Sequence, residues 1–353
     1  MRDTKLRPSG PFRAAFSSLL FCLLAPLLAQ ANQPSGYFSA LYDTLIGAHY
    51  DAAWQIHGEL QREFPDSPAP LFARATILYT AMIDFEDTTG EVEFFQCCDA
   101  VDRSCQEQER IAPKDETVWL EFLRGSALAM RAFYVGRRGQ VWPALKWLTK
   151  SRSLFGHVLE ESPTFYDAYL GRGAYRWGVA KHAGILGGGP FIPSRDDALA
   201  DLRLAMDSSA FSRHAAASSL AWFLIEDEKY DKAESLILHE LERFPNARPF
   251  LWPLISLRFK TGRFQECIAL SEELVQQYEA SPRNNGYDVV GLYKRMANAA
   301  EHLDDDEAVV RYCRAGLAAS LTDDAFQRRK QDLEILAKWL ERAEKRLEQS
   351  AKK

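Results

Sequence analysis

The chain has 353 residues, of which 47% are hydrophobic, and a formal net charge of −6. The acidic balance argues against nucleic acid as a partner, because nucleic-acid-binding surfaces are basic. At this length one elongated array of helical repeats is as plausible as two globular domains, and the patterns described below favour the single array.

The segment from Met1 to Ala31 is organised like a secretory signal peptide. Basic residues precede an apolar run from Ala14 to Leu28, which is too short to span a bilayer, and Ala29-Gln30-Ala31 provides a small-x-small cleavage site. We expect cleavage after Ala31 and export of the mature chain, either to the periplasm or out of the cell. The segment carries a net charge of +3, so its removal changes the formal charge from −6 to −9. A retained anchor helix is the alternative, and no later stretch is long and apolar enough to span a membrane.

The first predicted hairpin, Pro34 to Pro65, contains a sequence motif that occurs twice in the chain. Tyr50-Asp51-x-Ala53 is followed by Phe64-Pro65, and Tyr230-Asp231-x-Ala233 is followed at the same spacing by Phe244-Pro245. Phe264 and Cys267 then take the places of Tyr230 and Ala233 one period further along the chain. The period is about 34 residues, which is typical of stacked helical hairpins.

These landmarks resemble the tetratricopeptide repeat (TPR) family, whose first helix carries a large-x-x-Leu-Gly-x-x-aromatic motif and whose second carries Ala, an aromatic, Ala, then Pro. The resemblance implies an all-α fold, a right-handed α-solenoid of stacked antiparallel helical hairpins. We divide the chain into a signal peptide (1–31), a repeat array (32–321) and a long C-terminal capping helix with its tail (322–353).

The second and third hairpins are less regular than the first. Pro68 to about Phe85 predicts one helix, but Asp87-Thr88-Thr89-Gly90 breaks the helical phase. We therefore expect the array to be irregular over 86–115. The third hairpin is predicted from Glu116 through Ala132 and then from Val141 to Glu160.

The fourth repeat carries a glycine-rich insertion at about 180–194. Leu170-Gly171 stands correctly in a first helix, but the landmarks of the second helix, Ala198, Leu202 and Ala205, come later than the repeat period requires. The insertion therefore lies in the turn inside the repeat, and Ser194 is a suitable N-cap for the helix after it.

Two regular repeats follow, from His214 to Pro245 and from about Arg248 to Ser281, with a looser one from Val289 to about Ser320. The last helix is predicted from Thr322 to Gln349. Its apolar residues at steps of three and four could form a dimer seam, but so short a seam favours packing on the preceding repeat. The seam consists of Leu333, Leu336, Leu340, Ala343 and Leu347.

The five cysteines after the signal peptide are an odd number for an oxidising compartment. If Glu91 to Glu109 is helical, Cys98 and Cys105 lie about 10 Å apart along the axis, beyond disulfide reach. No histidine or fourth cysteine stands at ligand spacing from Cys97, Cys98 and Cys105, so we expect no metal site there. Cys267 and Cys313 complete the set, and Cys267 fits as core filler where the repeat needs a small residue.

The concave groove is the expected binding surface, because in TPR proteins fixed positions of each first helix line it. Carried over by resemblance, these positions give aromatic and basic candidates, which suit peptide recognition. The alternative is that the tryptophans pack between repeats. The candidate residues are Phe165, Arg172, Tyr175, Arg176, Ser218, Trp222, Glu226, Pro249, Trp252, Ser256, Phe259 and Lys260.

The glycine-rich insertion is a second candidate site. Its glycines permit close approach of a ligand, and the helix N-terminus beside Arg195 offers free amides to an anion. It is not a P-loop, since no Gly-Lys-Ser/Thr closes it. A surface loop without a ligand is the plainer interpretation. The loop candidates are Gly187, Gly188, Gly189, Phe191 and Arg195.

No catalytic, cofactor or metal motif stands out in the sequence. His182 and Lys181 lack a recognisable nucleophile nearby, and the acidic run from Asp304 to Glu307 lacks the glycine and the final glutamate of a calcium loop. We interpret that run as an acidic helix start, which the helix dipole favours.

Three functions compete. The first is an exported, non-enzymatic adaptor that binds a protein or peptide partner in its groove during envelope assembly. The second is a receptor for a small molecule or glycan, with the Gly187 to Gly189 loop as a lid. The third is an enzyme without a recognisable motif.

Overall fold

The computed structural model describes residues 34–181 and 193–351. Within these ranges the chain forms fifteen α-helices and no β-strand, which confirms the all-α prediction. None of the described helices is both long and apolar enough to cross a membrane. The helices are α1 (Ser35–Ile46), α2 (Tyr50–Glu63), α3 (Ala69–Asp84), α4 (Glu91–Glu109), α5 (Lys114–Arg137), α6 (Val141–Glu161), α7 (Asp167–Lys181), α8 (Arg195–Ser208), α9 (Arg213–Glu226), α10 (Tyr230–Arg243), α11 (Arg248–Lys260), α12 (Phe264–Glu279), α13 (Tyr287–Glu301), α14 (Asp306–Ala318) and α15 (Asp323–Ser350).

Each helix from α1 to α15 packs against the next one in the chain. Along most of the array, each odd-numbered helix also contacts the next odd-numbered helix. This is the contact pattern of stacked helical hairpins, in which each hairpin buries its apolar face on the next. The solenoid is therefore TPR-like, as the sequence resemblance predicted.

The repeated motif marks the start of the second helix in each regular hairpin. Tyr50, Tyr230 and Phe264 are the first residues of α2, α10 and α12. Three positions later, Ala53, Ala233 and Cys267 are fully buried. A small side chain is needed there because the two helices of the hairpin approach closely, so the interpretation of Cys267 as core filler is correct.

The turns inside five hairpins share one backbone conformation. In each, the residue two positions before the second helix has a positive φ, between 54° and 79°. Only two of the five are glycine, so the other three hold an L-residue in the left-handed region, at a cost in free energy. The five residues are Ala48, Gly139, Glu228, Gly262 and Asp304.

The fourth hairpin is formed by α7 and α8. Ser194 caps α8, accepting a hydrogen bond from the backbone N–H of Asp197 at 3.0 Å, as the sequence predicted. Asp305 caps α14 in the same way through the N–H of Ala308 at 2.9 Å, which supports the interpretation of the acidic run as a helix start.

Helix α15 packs on α13 and α14. Leu336 and Ala343 are fully buried, and Leu333 and Leu340 pack beside them on the core of the C-terminal repeats. The apolar side of α15 is therefore used within the chain, as the sequence analysis favoured over a dimer seam.

The phase break after α3 is the point at which the two halves of the solenoid meet. We call residues Asp84 to Asp87 the crossing segment. Phe85 is buried in the core of the C-terminal repeats, where its ring lies 6.0 Å from that of Tyr278. The solenoid therefore curves back on itself, and the crossing segment joins its N-terminal and C-terminal halves.

Candidate binding cavity

The concave side of the closed solenoid contains a cavity of about 480 Å³. Residues from both halves of the chain line it: α1 to α3, the crossing segment and the end of α5 on one side, and α9, α11, α12, α13 and α15 on the other. The lining residues are Leu45, Ala48, Tyr50, Tyr79, Thr80, Ile83, Asp84, Glu86, Arg137, Ser218, Trp222, Arg248, Pro249, Trp252, Tyr278, Tyr287, Asp288 and Arg329.

A buried ion pair between Asp84 and Arg248 forms one wall. The Arg248 guanidinium donates from Nε to Oδ1 at 2.8 Å and from Nη2 to Oδ2 at 2.5 Å. The two side chains are only 12% and 9% exposed. Tyr50 donates its hydroxyl to the same carboxylate at 2.6 Å, and burial raises the pKa of Tyr50 far above its usual value. The carboxylate is thus held by two partners that neutralise and orient it.

A chain of hydrogen bonds positions Trp252 in the same wall. Its Nε1 donates to the Tyr278 hydroxyl at 2.9 Å, and that hydroxyl donates to the backbone oxygen of Asp84 at 3.1 Å. The Arg248 guanidinium also lies 5.2 Å from the centre of the Tyr278 ring. Trp252 is therefore fixed to the crossing segment through Tyr278.

Glu86 ties the crossing segment to two further helices. Its carboxylate forms ion pairs with Arg137 at the end of α5 and with Arg328 on α15. The backbone oxygen of Glu86 accepts a second bond from Arg328 at 2.7 Å. Glu86 has a φ of +49°, a strained conformation for a residue with a side chain, and these contacts hold it there.

The end of the crossing segment is held by the turn before α13. Asp87 accepts from Arg283 at 2.8 Å, and Asn285 donates to the backbone oxygen of Phe85 at 2.9 Å. Gly286 has a φ of +80°, and a side chain there would meet the backbone oxygen of Ser320 at 2.1 Å. The turn that grips the segment therefore requires glycine at this position.

Asp288 lies in the first turn of α13. Of the carboxylates that line the cavity, it is the one that forms no ion pair within the described residues. It is 9% exposed and forms no hydrogen bond or ion pair with another residue in the described ranges. Burial, and then the nearby charge of Glu86, raises its pKa to about 7. The adjacent Arg329 turns to other partners, donating to Asp332 at 2.6 Å and to the backbone oxygen of Tyr287 at 2.9 Å.

Four of the residues named as groove candidates from the sequence line this cavity: Ser218, Trp222, Pro249 and Trp252. The other candidates on α11 do not. Ser256 is buried, Lys260 is exposed, and Phe259 packs edge-on against Phe264 with ring centres 5.5 Å apart.

The candidates on and before α7 contact neighbouring helices. Arg172 donates twice to Asp201 of α8, at 2.9 and 2.7 Å, and Arg176 donates to the same carboxylate at 2.8 Å. The Phe165 ring lies 4.8 Å from that of Phe122. Tyr175 lies under the guanidinium of Arg152 at 5.4 Å. Glu226, at the end of α9, accepts from Lys181 at 2.8 Å.

The glycine-loop candidates Gly187, Gly188, Gly189 and Phe191 lie outside the described residues, as does His182. Arg195 is exposed at the start of α8, with its guanidinium 5.3 Å from the Trp177 ring and 3.4 Å from Asp227.

The five cysteines in the described ranges are all buried free thiols. Cys98 and Cys105 lie on the continuous helix α4, as the argument against a disulfide supposed. Burial raises the pKa of both, so they are protonated at neutral pH. No cluster of potential metal ligands occurs among the described residues.

Sequence reasoning missed the charged half of the cavity. None of its residues stands at a groove position of the repeat pattern. The phase break contributes Asp84 and Glu86, helix starts contribute Arg248 and Asp288, and the capping helix contributes Arg329. The available signal was the acidic run at the break together with arginines in the C-terminal repeats, but their pairing spans up to 242 positions.

Comparison with known proteins gives structural matches only. No model of a protein family matches the sequence, and no curated protein does. The chain is similar to a chain of the APC/C hetero-tetramer Cut9-Hcn1, with 13% identity over 86% of this chain and 68% of that one and a TM-score of 0.39. It is also similar to the human IFIT1 dimer with PPP-AAAA, with 14% identity, 77% and 68% coverage and a TM-score of 0.36. The TPR domain of P58(IPK) gives 14% identity, 91% and 100% coverage and a TM-score of 0.25. At these values the similarities do not bear on ligands or partners.

Proposed function

We propose that this TPR-like solenoid is a non-enzymatic adaptor that binds a short segment of a protein partner in its central cavity. The observation that carries the proposal is the cavity itself, which lies between the two halves of the chain, opens to solvent and is lined by Trp222 and Trp252. Rigid aromatic side chains bury a large contact area at little cost in conformational entropy, so they are effective anchors for a partner.

The size of the cavity limits the form of the partner. An α-helix with its side chains is about 11 Å across, so roughly one turn of helix would fill a cavity of about 480 Å³. A helix longer than about one turn would therefore extend beyond the cavity, which is open to solvent. A chain terminus or a few side chains from an extended segment suit this volume.

The arginines in the cavity wall favour binding over catalysis. Arg248, Arg137 and Arg329 are each engaged by a carboxylate: the first pair joins the two halves, the second joins α5 to the crossing segment, and the third lies within α15. Groups committed to holding the fold are poorly placed to exchange protons with a substrate.

We further propose that the protein works after export, in an assembly of the cell envelope. The support for this step is the organisation of residues 1–31 as a signal peptide. Tagging the chain at its C-terminus and sequencing the mature N-terminus would test it, with Asn32 as the expected first residue.

A receptor for a small molecule or glycan is the second candidate. The feature that favours it is the cavity volume, which falls within the range of about 300–1,000 Å³ for small-ligand pockets. Whether the Gly187 to Gly189 loop closes over such a ligand concerns residues outside the described ranges.

The test is crosslinking capture from the host's envelope fraction with three forms of the tagged chain: wild type, Trp222→Ala and Trp142→Ala. Trp142 is the matched control because it lies on α6, away from the cavity, and is 82% exposed. Circular dichroism verifies that all three forms fold. We expect a protein that wild type and Trp142→Ala capture and Trp222→Ala loses. Equal capture by all three forms, or loss only with Trp142→Ala, would contradict binding in the cavity.

A further inference from the structure

We infer that the cavity takes a positively charged group of its ligand, an ammonium or guanidinium, with the Asp288 carboxylate as the counter-ion. The inference deepens the proposed function, because it states the chemistry of the group that enters the cavity.

The first support is the position of Asp288. It lines the cavity with more than nine-tenths of its surface buried, and no other described residue donates to it or pairs with it. Its oxygens are not among the fully enclosed unsatisfied atoms of the described residues, so a ligand in the cavity can reach them. A carboxylate with so little exposed surface and no partner costs folding free energy, part of which a cation from outside would recover. Such an uncompensated group in a cavity is characteristic of binding sites.

The second support is that the cations of the wall have other partners. Arg248 is held by Asp84, Arg137 by Glu86, and Arg329 by Asp332. An anionic ligand would meet guanidinium groups whose charge these carboxylates already balance, and it would also meet the charge of Asp288. A cationic ligand leaves these pairs intact and is attracted by Asp288, against the more distant like charges of Arg329 and Arg137 that the carboxylates Asp332 and Glu86 balance.

The third support is the aromatic lining. Trp222, Trp252 and Tyr79 join Tyr50 and Tyr278 around the same space. The faces of aromatic rings attract cations, and the attraction grows as water is excluded. The rings and the carboxylate therefore favour the same kind of group.

Two sources share this chemistry, a lysine or arginine side chain of a partner segment and a free small amine. The probes that separate them are the peptide acetyl-Gly-Lys-Gly-amide, the same peptide with norleucine in place of lysine, and butylamine. The norleucine peptide keeps the alkyl stem and lacks only the charge. Each probe is titrated calorimetrically into the wild-type full chain and into Asp288→Asn, which keeps the shape of the side chain. Exposed Asp66→Asn is the control variant.

We expect wild type to bind the lysine peptide at least tenfold more tightly than the norleucine peptide. Asp288→Asn should abolish that preference, and Asp66→Asn should keep it. Charge-selective, Asp288-dependent binding of butylamine without a gain for the peptide assigns the site to free amines and supports the same chemistry. Equal binding of charged and neutral probes, or binding of neither, overturns the inference.

The pH dependence provides a second readout. The charged groups around Asp288 are Glu86, Asp84, Arg329 and Arg137, and no histidine lines the described cavity. Because the pKa of Asp288 is about 7, wild type should bind the lysine peptide several-fold more weakly at pH 5.5 than at pH 8. Asp288→Asn should show no such change, and a pH-independent wild type would contradict the role given to this carboxylate.

The failure of this inference is distinguishable from that of the proposed function. If Trp222→Ala loses the partner and Asp288→Asn retains it, the adaptor function stands and the proposed contact with a cationic group is wrong. A partner that neither variant loses contradicts both.

Discussion

The regular repeats from α9 to α12 and the crossing segment between α3 and α4 fold by different kinds of contact. In the repeats, landmark residues pack on helices one or two places along the chain. Residues of the crossing segment pair with Arg248 and Arg328, which lie 164 and 242 positions away. The regular region thus builds the solenoid, and the irregular one closes it.

The difference matters for function because the cavity exists only in the closed form. Trp222, Ser218 and Pro249 come from the regular repeats, whereas Asp84 and Glu86 come from the crossing segment. A TPR-like groove open along its length would offer an extended surface. Here the crossing segment shortens that surface to a cavity between the two halves.

The largest effect on stability should come from removing the Asp84–Arg248 ion pair, which joins the two halves of the solenoid. Arg248→Ala leaves the Asp84 carboxylate buried without its guanidinium, so we expect unfolding free energy to fall by about 3–5 kcal/mol. Arg74→Ala is the control, because the Arg74–Glu93 pair is 44% and 41% exposed and should contribute less than about 1 kcal/mol. Urea unfolding measures both.

A double-mutant cycle sharpens this result. Asp84→Ala combined with Arg248→Ala should cost less than the sum of the single changes, since it leaves no unpaired buried charge. Strict additivity would mean that the two side chains do not stabilise the fold as a pair.

A smaller effect is expected at a link between neighbouring repeats. The buried Asp167 of α7 accepts from the backbone N–H groups of Ala210, Phe211 and Ser212, at 3.0, 3.2 and 2.8 Å. Asp167→Ala leaves these donors without their acceptor and should lower stability by about 2–3 kcal/mol. Exposed Asp66→Ala should change it little. A small loss at Asp167 would mean that water replaces the carboxylate.

Asp288 should lower stability at neutral and higher pH. An unfolded aspartate has a pKa near 4, so a folded value of about 7 means that the folded chain binds this proton more tightly. Its contribution to stability therefore declines as the pH rises from about 4 to 7 and is level above that. At pH 8 we expect Asp288→Asn to be more stable than wild type by about 2 kcal/mol, discounted from about 1.4 kcal/mol per pKa unit because the amide also lacks a partner.

Thermal unfolding of wild type and Asp288→Asn at pH 5 and pH 8 checks this expectation. The variant should gain more at pH 8 than at pH 5. The same gain at both values would mean that Asp288 does not titrate in this range.

The smallest effect concerns the shared turn of the regular hairpins. Glu228 and Gly262 occupy the same turn position, with φ values of +57° and +74°. Glu228→Gly should stabilise by about 0.5 kcal/mol, the relief of strain being partly offset by chain entropy, and Gly262→Ala should destabilise by about 1 kcal/mol. Changes of the same sign would show that the turns are not equivalent.

The repeats were predictable because their information is local. Tyr230, Ala233 and Phe244 lie on a single helix and its C-cap, and helical periodicity with one N-cap at Ser194 placed the surrounding helices. The two cavity tryptophans followed from repeat position alone.

The closure was not predictable from the same patterns. Asp87-Thr88-Thr89-Gly90 was recognised as a break in the helical phase, but such a break does not indicate which distant residues will contact it. Glu86 pairs with Arg137 at the end of α5 and with Arg328 on the helix that sequence analysis treats as a C-terminal cap. Only the curvature of the whole solenoid brings them together.

The most direct test of closure is a distance between the two halves. Spin labels on Glu107→Cys in α4 and Glu273→Cys in α12 occupy exposed sites, whereas the five cysteines of the described chain are buried. Pulsed electron resonance should give one narrow distance distribution, which broadens in Arg248→Ala and Arg328→Ala while the helical circular dichroism is retained. A distribution that stays narrow and unshifted in both variants would contradict closure of the solenoid by the crossing segment.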